Sequence, residues 1–188
     1  KIKEMFEKAD FPNGVLELVL GAEDTGEYLV KSEVNKIFFV GSVETGKIII
    51  ANAGIKPVQV ELGGNSSAIV LNDADLDLAA QGIAWGGTYH SGQDCVGIKR
   101  VFVEMGVAKD FISKLAVIVN GLRAGIDYGP YISVEAMEAV KEKIDDAVVN
   151  GAKLICGGEL IEAPEGKGNW LSPSVLIIPD QNIKLVAE

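Results

Sequence analysis

The spacing of apolar and polar residues predicts an α/β protein. Within the first sixty residues, the apolar runs 15–20, 36–40 and 56–61 are typical of buried strands, and the segments 24–31 and 44–53 between them have helical spacing. Strands that alternate with helices in this order predict a parallel sheet connected by crossover helices. We therefore expect this part of the chain to form such a sheet.

A glycine-rich break at 63–67 predicts a boundary between two domains, 1–63 and 64–188. Beyond it, apolar residues at helical spacing predict amphipathic helices over 107–120 and 133–150. The acidic start of 73–89 predicts another helix, because a helix N-terminus favours negative charge. Further strands are predicted at 68–71, 99–104, 153–156 and 174–178.

Charge and composition exclude several kinds of partner. The 188 residues include 17 Lys and Arg against 27 Asp and Glu, so the net charge is −10, and we expect no binding to nucleic acid or to an anionic membrane surface. One His and two Cys are too few for a disulfide scaffold or an ordinary zinc site, so no metal is expected. No apolar run approaches the ~20 residues that span a bilayer, and the few cysteines suggest a reducing, cytoplasmic location.

A glycine-containing segment between a predicted strand and a predicted helix is a candidate phosphate site. Residues 41–48 fit the pattern G-x-x-x-x-G-K, but Ile48 stands where a P-loop needs a hydroxyl for Mg²⁺, which disfavours a nucleoside triphosphatase. Gly41 would still let a phosphate approach the backbone, and Ser42 offers a hydroxyl beside free N–H groups. A strand-to-helix turn without a ligand explains the same residues equally well.

Two residues are candidates for covalent and acid–base chemistry. Cys95 lies in a glycine-rich loop after a helix, where a cysteine is either a thiolate nucleophile or a small packing residue. Glu61 ends an apolar strand, at the edge where open α/β sheets bind ligands; it is either a general base or a partner in a structural ion pair. Cys156 ends an apolar run and is expected to be buried.

Taken in order, the motifs resemble those of the aldehyde dehydrogenase superfamily. The matching segments are F-P-N-G-V at 11–15, F-V-G-S-V-E-T-G at 39–46, E-L-G-G at 61–64, I-V-L-N-D-A-D-L-D at 69–77, G-Q-D-C at 92–95, G-P-Y-I-S at 129–133 and S-P-S-V-L at 172–176. Val40 departs from the family's usual Thr, and neither Glu61 nor Cys95 is affected by a departure. The resemblance covers the chain from end to end.

The resemblance implies a Rossmann-type parallel sheet portion followed by an α/β catalytic domain with a mostly parallel sheet. It assigns 1–63 to the end of a dinucleotide-binding domain and 64–188 to the thiol-bearing catalytic domain. The implied reaction is NAD- or NADP-dependent oxidation of a small aldehyde. In it, the Cys95 thiolate forms a thiohemiacetal, hydride transfer to the cofactor leaves a thioester, and Glu61 activates the hydrolytic water. The cofactor-binding residues implied are Gly41, Ser42, Leu62 and Gly63.

By the same resemblance the sequence corresponds to part of a longer enzyme. We expect the full-length form to be a homo-oligomer and this chain alone to have little or no dehydrogenase activity. Glu188 would be the first acid of the family's E-x-F-G-P motif. Two other functions remain open at this point: a non-catalytic binding or assembly module on the same fold, and a degenerate P-loop nucleotide binder.

Overall fold

A computed structural model of the chain divides into two compact units, Lys1–Leu62 and Gly63–Glu188. It describes residues 1–180 and 182–187, so Glu188 lies outside the described residues. The division falls one residue before the boundary predicted at 63.

The first unit contains one β–α–β motif. In chain order its elements are α1 (Ile2–Lys8), α2 (Glu23–Lys31), β1 (Ile37–Gly41), α3 (Val43–Asn52) and β2 (Val58–Leu62). Strands β1 and β2 are parallel, and their register pairs Ile37 with Val58 and Gly41 with Leu62. The predicted alternation of strand and helix is therefore observed from 37 to 62.

The strand predicted at 15–20 is wrong. This segment has no regular secondary structure, and four of its five apolar side chains are exposed, with Leu18 at 61% and Leu20 at 81%. A strand forms only where a neighbouring strand satisfies its backbone N–H and C=O groups. Among the described residues, 15–20 has no such partner, so the described sheet of this unit has two strands instead of three.

The second unit contains two separate strand pairs with helices between them. Its elements are β3 (Ser66–Val70), α4 (Leu76–Thr88), β4 (Ile98–Val103), α5 (Met105–Asn120), α6 (Val134–Val149), β5 (Lys153–Cys156), β6 (Val175–Ile177) and α7 (Lys184–Ala187). Strands β3 and β4 are parallel, and β5 and β6 are antiparallel. The α/β class predicted from the sequence is confirmed, with one parallel and one antiparallel pair in this unit.

The core of the second unit lies between helices α4 and α5 and the β3–β4 pair. Ala80 and Ala84 are small enough to let α5 approach α4 closely, and Phe111 of α5 is buried against them. The side chain of Asp75 caps α4 by accepting hydrogen bonds from the N–H groups of Asp77 and Leu78, each at 3.0 Å. This packing fixes both ends of the loop that carries Cys95, because that loop joins α4 to β4.

The longest helices, α5 and α6, have 16 residues each. Within residues 1–180 and 182–187, none of the helices is both long and apolar enough to cross a bilayer. Nor do these residues include a cluster of three or more His, Cys, Asp and Glu side chains that could hold a metal ion.

Candidate active site

Three of the predicted site residues lie at the carboxyl edge of the β1–β2 pair, and a fourth follows it. The register places Glu61 opposite Val40 and Leu62 opposite Gly41, and Ser42 comes directly after β1. Glu61 is exposed at this edge. In open α/β sheets the carboxyl edge is where ligands bind, so the first unit brings together Gly41, Ser42, Glu61 and Leu62 at such a position.

Ser42 begins helix α3 as its N-cap. Its Oγ accepts a hydrogen bond from the Thr45 N–H at 3.1 Å, and its carbonyl oxygen accepts one from the Gly46 N–H at 2.9 Å. Within the described part of the chain, the N–H groups of Val43 and Glu44 have no acceptor. These two donors, together with the positive end of the helix, fit a phosphate group.

The two glycines of this segment also have packing roles. A Cβ on Gly46 would lie 2.8 Å from Cδ2 of Leu62, so glycine lets α3 pack closely on β2. A Cβ on Gly41 would meet the ring of Phe39. A side chain at either position would displace a neighbouring side chain, so packing is one reason for glycine here whether or not a ligand binds.

Cys95 is exposed in the loop between α4 and β4, which we call the nucleophile loop and define as residues 93–97. Asp94 closes the turn around it: its Oδ1 accepts from the Val96 N–H at 3.2 Å, and its carbonyl oxygen accepts from the Gly97 N–H at 3.3 Å. Among the described residues, nothing accepts a hydrogen bond from the Cys95 N–H. The thiol and an unused backbone donor thus belong to the same residue.

A lysine lies beside this loop. The Lys99 ammonium group donates a hydrogen bond to the Gly92 carbonyl oxygen. Partial burial lowers the pKa of Lys99, and electrostatic interactions with Asp94 and Cys95 oppose this shift only in part. The Lys99 ammonium group is therefore near enough to Cys95 for the two side chains to interact electrostatically.

The second glycine of the E-L-G-G motif lies against the backbone of Cys95. A Cβ on Gly64 would lie 2.3 Å from the Cys95 carbonyl oxygen, a separation that no side chain could tolerate. A Cβ on Gly63, in contrast, would have no atom within 4 Å. Gly64 and Cys95 are in the same unit, whereas Glu61 is in the other, so the structure describes the predicted base and the predicted nucleophile separately.

Cys156 is buried, as predicted. It lies in the core with Phe111 and Leu115 of α5, and burial raises the pKa of its thiol. Of the two cysteines, only Cys95 is accessible for chemistry.

Comparison with known proteins places these residues in one family. The sequence model of the aldehyde dehydrogenase family matches residues 1–188. The chain belongs to the aldehyde dehydrogenase family. The resemblance inferred from the motifs is thereby confirmed.

Individual aldehyde dehydrogenases match the chain over nearly its whole length. It is 41% identical over 184 residues to a glutarate-semialdehyde dehydrogenase of Pseudomonas putida, covering 93% of this chain and 37% of that protein. It is 40% identical over 179 residues to an NADP-dependent glyceraldehyde-3-phosphate dehydrogenase of Streptococcus equinus, covering 92% and 36%. The structure of betaine aldehyde dehydrogenase from Staphylococcus aureus with NAD⁺ matches with a TM-score of 0.93 and 30% identity, covering 98% of this chain and 39% of that one.

Two facts follow from these matches. The chain spans about two fifths of the length of the aldehyde dehydrogenases that it matches. Both NAD and NADP serve as cofactors in the family, since one relative is named as NADP-dependent and one matching structure contains NAD⁺.

Four residues beside the thiol were not assigned a role from the sequence. Gln93 and Gly64 stand inside the G-Q-D-C and E-L-G-G motifs, so the motifs were the signal that could have found them. Ser91 and Lys99 carry no comparable signal, because their contacts with the loop become visible only in three dimensions.

Proposed function

We propose that this chain carries the nucleophile and the general base of an NAD- or NADP-dependent aldehyde dehydrogenase that oxidises a small aldehyde to a carboxylic acid. The observation that supports this best is Cys95: an exposed thiol beside the Lys99 cation, with its own N–H unused. A nearby positive charge stabilises a thiolate, and the thiolate is the nucleophilic form of cysteine.

In the first step, the Cys95 sulfur adds to the carbonyl carbon of the aldehyde. A carbon–sulfur bond forms, the carbonyl π-bond breaks, and its electron pair becomes a negative charge on oxygen. The free Cys95 N–H is the donor that we assign to this oxygen. The tetrahedral adduct is a thiohemiacetal.

The cofactor site that we propose is the carboxyl edge of β1 and β2. Gly41 and Ser42, with the free N–H groups at the start of α3, would hold the pyrophosphate, and Leu62 and Gly63 would lie beside the nicotinamide. When bound, the nicotinamide supplies the hydride acceptor that turns the thiohemiacetal into a thioester. The geometry of these residues favours neither NAD nor NADP.

Glu61 is the proposed general base for thioester hydrolysis. Its carboxylate would accept a proton from water as the water oxygen adds to the thioester carbon; the carbon–sulfur bond then breaks, and the carboxylic acid leaves. Glu61 and Cys95 stand in the E-L-G-G and G-Q-D-C motifs, and the match of the family's sequence model to residues 1–188 supports these two assignments.

We further infer that 1–63 is the end of a dinucleotide-binding domain and 64–188 the catalytic domain, which agrees with the observed division between Leu62 and Gly63. We propose a cytoplasmic homo-oligomer for the full-length form. Because the chain spans about two fifths of its relatives, we expect it to oxidise aldehydes slowly or not at all by itself. Incubation with NAD⁺ or NADP⁺ and short aldehydes, followed by the absorbance of the reduced cofactor, tests this; turnover at ordinary enzyme rates would contradict it.

Alkylation tests the nucleophile without any cofactor. Iodoacetamide should label the chain well below pH 8, Cys95→Ala should remove the label, and Cys156→Ala should keep it, because Cys156 is buried. An unreactive Cys95 would count against catalysis and favour a binding or assembly module on the same fold.

Acylation tests the base. An activated ester such as p-nitrophenyl acetate should acylate Cys95, and mass spectrometry then follows the loss of the acyl group. In Glu61→Gln this loss should slow by roughly 10²-fold or more. Glu142→Gln is the matched control, because Glu142 is exposed on α6 and its side chain makes no hydrogen bond or ion pair in the described structure. Equal deacylation rates in the two variants would exclude Glu61 as the base.

A further inference from the structure

The backbone that leads into the nucleophile loop has an unfavourable conformation. His90, Ser91 and Gly92 have φ values of 48°, 59° and 73°, all in the left-handed region. Glycine adopts this region freely, but the Cβ atoms of His90 and Ser91 make it costly. Such conformations persist only where surrounding contacts hold them in place.

Two side chains supply those contacts. Ser91 Oγ donates a hydrogen bond of 2.6 Å to the Gly129 carbonyl oxygen. The Gln93 amide uses both of its ends: Nε2 donates to the carbonyl oxygens of Pro130 at 3.3 Å and His90 at 3.2 Å, and Oε1 accepts from the Ile132 N–H at 2.9 Å. All four contacts thus involve Ser91 or Gln93, and three of them reach the segment 129–132.

The segment 129–132 is itself held by its surroundings. The Tyr131 N–H donates to the Asn169 carbonyl oxygen at 2.8 Å. Just before the segment, Tyr128 is buried and its ring lies edge-on to that of Trp170, which is also buried, with 6.0 Å between the ring centroids. A side chain tied to this segment is therefore tied to a fixed part of the unit.

We propose that Ser91 and Gln93 form a clamp that holds the nucleophile loop against the segment 129–132 and so positions Cys95 for attack. This inference rests on the proposed function of Cys95 as the nucleophile. Ser91 and Gln93 are positioning residues, since they act through the loop and not on the thiol itself.

The clamp matters because Cys95 follows Gln93 by only two residues. The same stretch of backbone presents the Gly92 carbonyl to the Lys99 ammonium group. With the clamp released, the loop can move the thiol away from this positive charge. Attack by Cys95 should then be slower, because a displacement of about 1 Å in a reacting group can reduce a rate by up to roughly 10²-fold.

Substitutions at Gln93 test the hydrogen-bond donor and the acceptor of its amide separately. Gln93→Met has a similar length and makes none of the hydrogen bonds. Gln93→Glu keeps an acceptor for the Ile132 N–H but, when ionised, cannot donate to the carbonyl oxygens. The matched controls are Gln81→Met and Gln81→Glu, because Gln81 is exposed on α4 and its side chain makes no hydrogen bond among the described residues.

Substitutions at Ser91 separate hydrogen bonding from backbone strain. Ser91→Ala removes the bond to Gly129 and keeps the unfavourable φ of a residue with a Cβ. Ser91→Gly removes the same bond and also the strain. If the clamp holds strained backbone, the iodoacetamide rate of Cys95 should fall in Ser91→Ala and should fall less in Ser91→Gly.

Three measurements on the full chain test the proposal. We expect the iodoacetamide rate of Cys95 at pH 7.5 to fall roughly tenfold in Gln93→Met and to be unchanged in both Gln81 variants. Hydrogen exchange of the Ile132 amide should be fast in Gln93→Met and remain slow in Gln93→Glu. Thermal unfolding, followed by tryptophan fluorescence, measures the stability of each variant. A variant that has only lost stability should still react at Cys95 with the wild-type iodoacetamide rate while it is folded.

The outcomes distinguish this inference from the proposed function. If the wild-type Cys95 reacts and Gln93→Met reacts within about twofold of it or faster, the clamp is wrong and the nucleophile stands. Rapid exchange of the Ile132 amide in the wild type would also overturn the clamp. If the wild-type Cys95 is unreactive, the proposed function fails, and with it the positioning role of the clamp.

Discussion

Replacing Gly64 by alanine should destabilise the second unit and disturb Cys95 together with it. The new Cβ would lie 2.3 Å from the Cys95 carbonyl oxygen, so the two backbones must separate by at least about 0.7 Å to reach 3.0 Å, the shortest approach that Cβ atoms ordinarily make. Overpacking of this kind costs about 1–3 kcal/mol. Alanine also restricts the unfolded chain, which returns about 0.4–1 kcal/mol. The expected net loss lies between about 0 and 2.6 kcal/mol, with a central value of about 1.3 kcal/mol.

Urea denaturation measures this loss directly. Both tryptophans, Trp85 and Trp170, lie in Gly63–Glu188, so their fluorescence reports the unfolding of that unit alone. The matched control is Gly82→Ala, because Gly82 lies inside α4 with no atom within 4 Å of an added Cβ, and it should stabilise the unit by up to about 1 kcal/mol. If Gly64→Ala were as stable as Gly82→Ala, the close approach of Gly64 to Cys95 would be refuted.

Two further predictions concern the same unit. Asp75→Ala should cost about 1 kcal/mol by removing the cap of α4, whereas Asp73→Ala, which removes no hydrogen bond in the described structure, should cost little; tryptophan fluorescence in urea compares them. Cys156→Ala should weaken the dependence of stability on alkaline pH. Since burial raises the folded-state pKa of Cys156, the unfolded chain releases this proton first, and the wild type should lose stability as pH rises above about 8.5. If the free energies of unfolding of the wild type and of Cys156→Ala changed equally from about pH 8 to 10, the prediction would be wrong.

The spacing of apolar residues was sufficient to predict most elements, because the apolar faces that it predicts pack against neighbouring elements of the described chain. Helix α5 was predicted at 107–120 and spans Met105–Asn120, since its apolar side faces α4. The segment 15–20 has strand-like composition too, but a strand also needs a partner, and composition does not reveal whether one is present. Periodicity therefore predicts the tendency of a segment, and pairing decides its structure.

The candidate site, too, was predicted only in part from the sequence. Cys95 was found because it stands in a glycine-rich loop within a recognisable motif. The contacts of Gln93 and Ser91 were not found, since their partners lie in 129–132, more than thirty residues further along the chain. The need for glycine at position 64 likewise depends on a contact with Cys95 that only the folded chain creates.

The exposed segment 15–20 has a consequence for solubility. Its sequence, V-L-E-L-V-L, combines strand-forming and apolar residues with a single charge, and its backbone pairs with no strand in the described structure. Such a segment can add to the same segment of another copy. The net charge of −10 opposes that association by repulsion between copies. Near the isoelectric point of about 4.6 the repulsion vanishes, so we expect self-association to set the acidic limit for handling this protein.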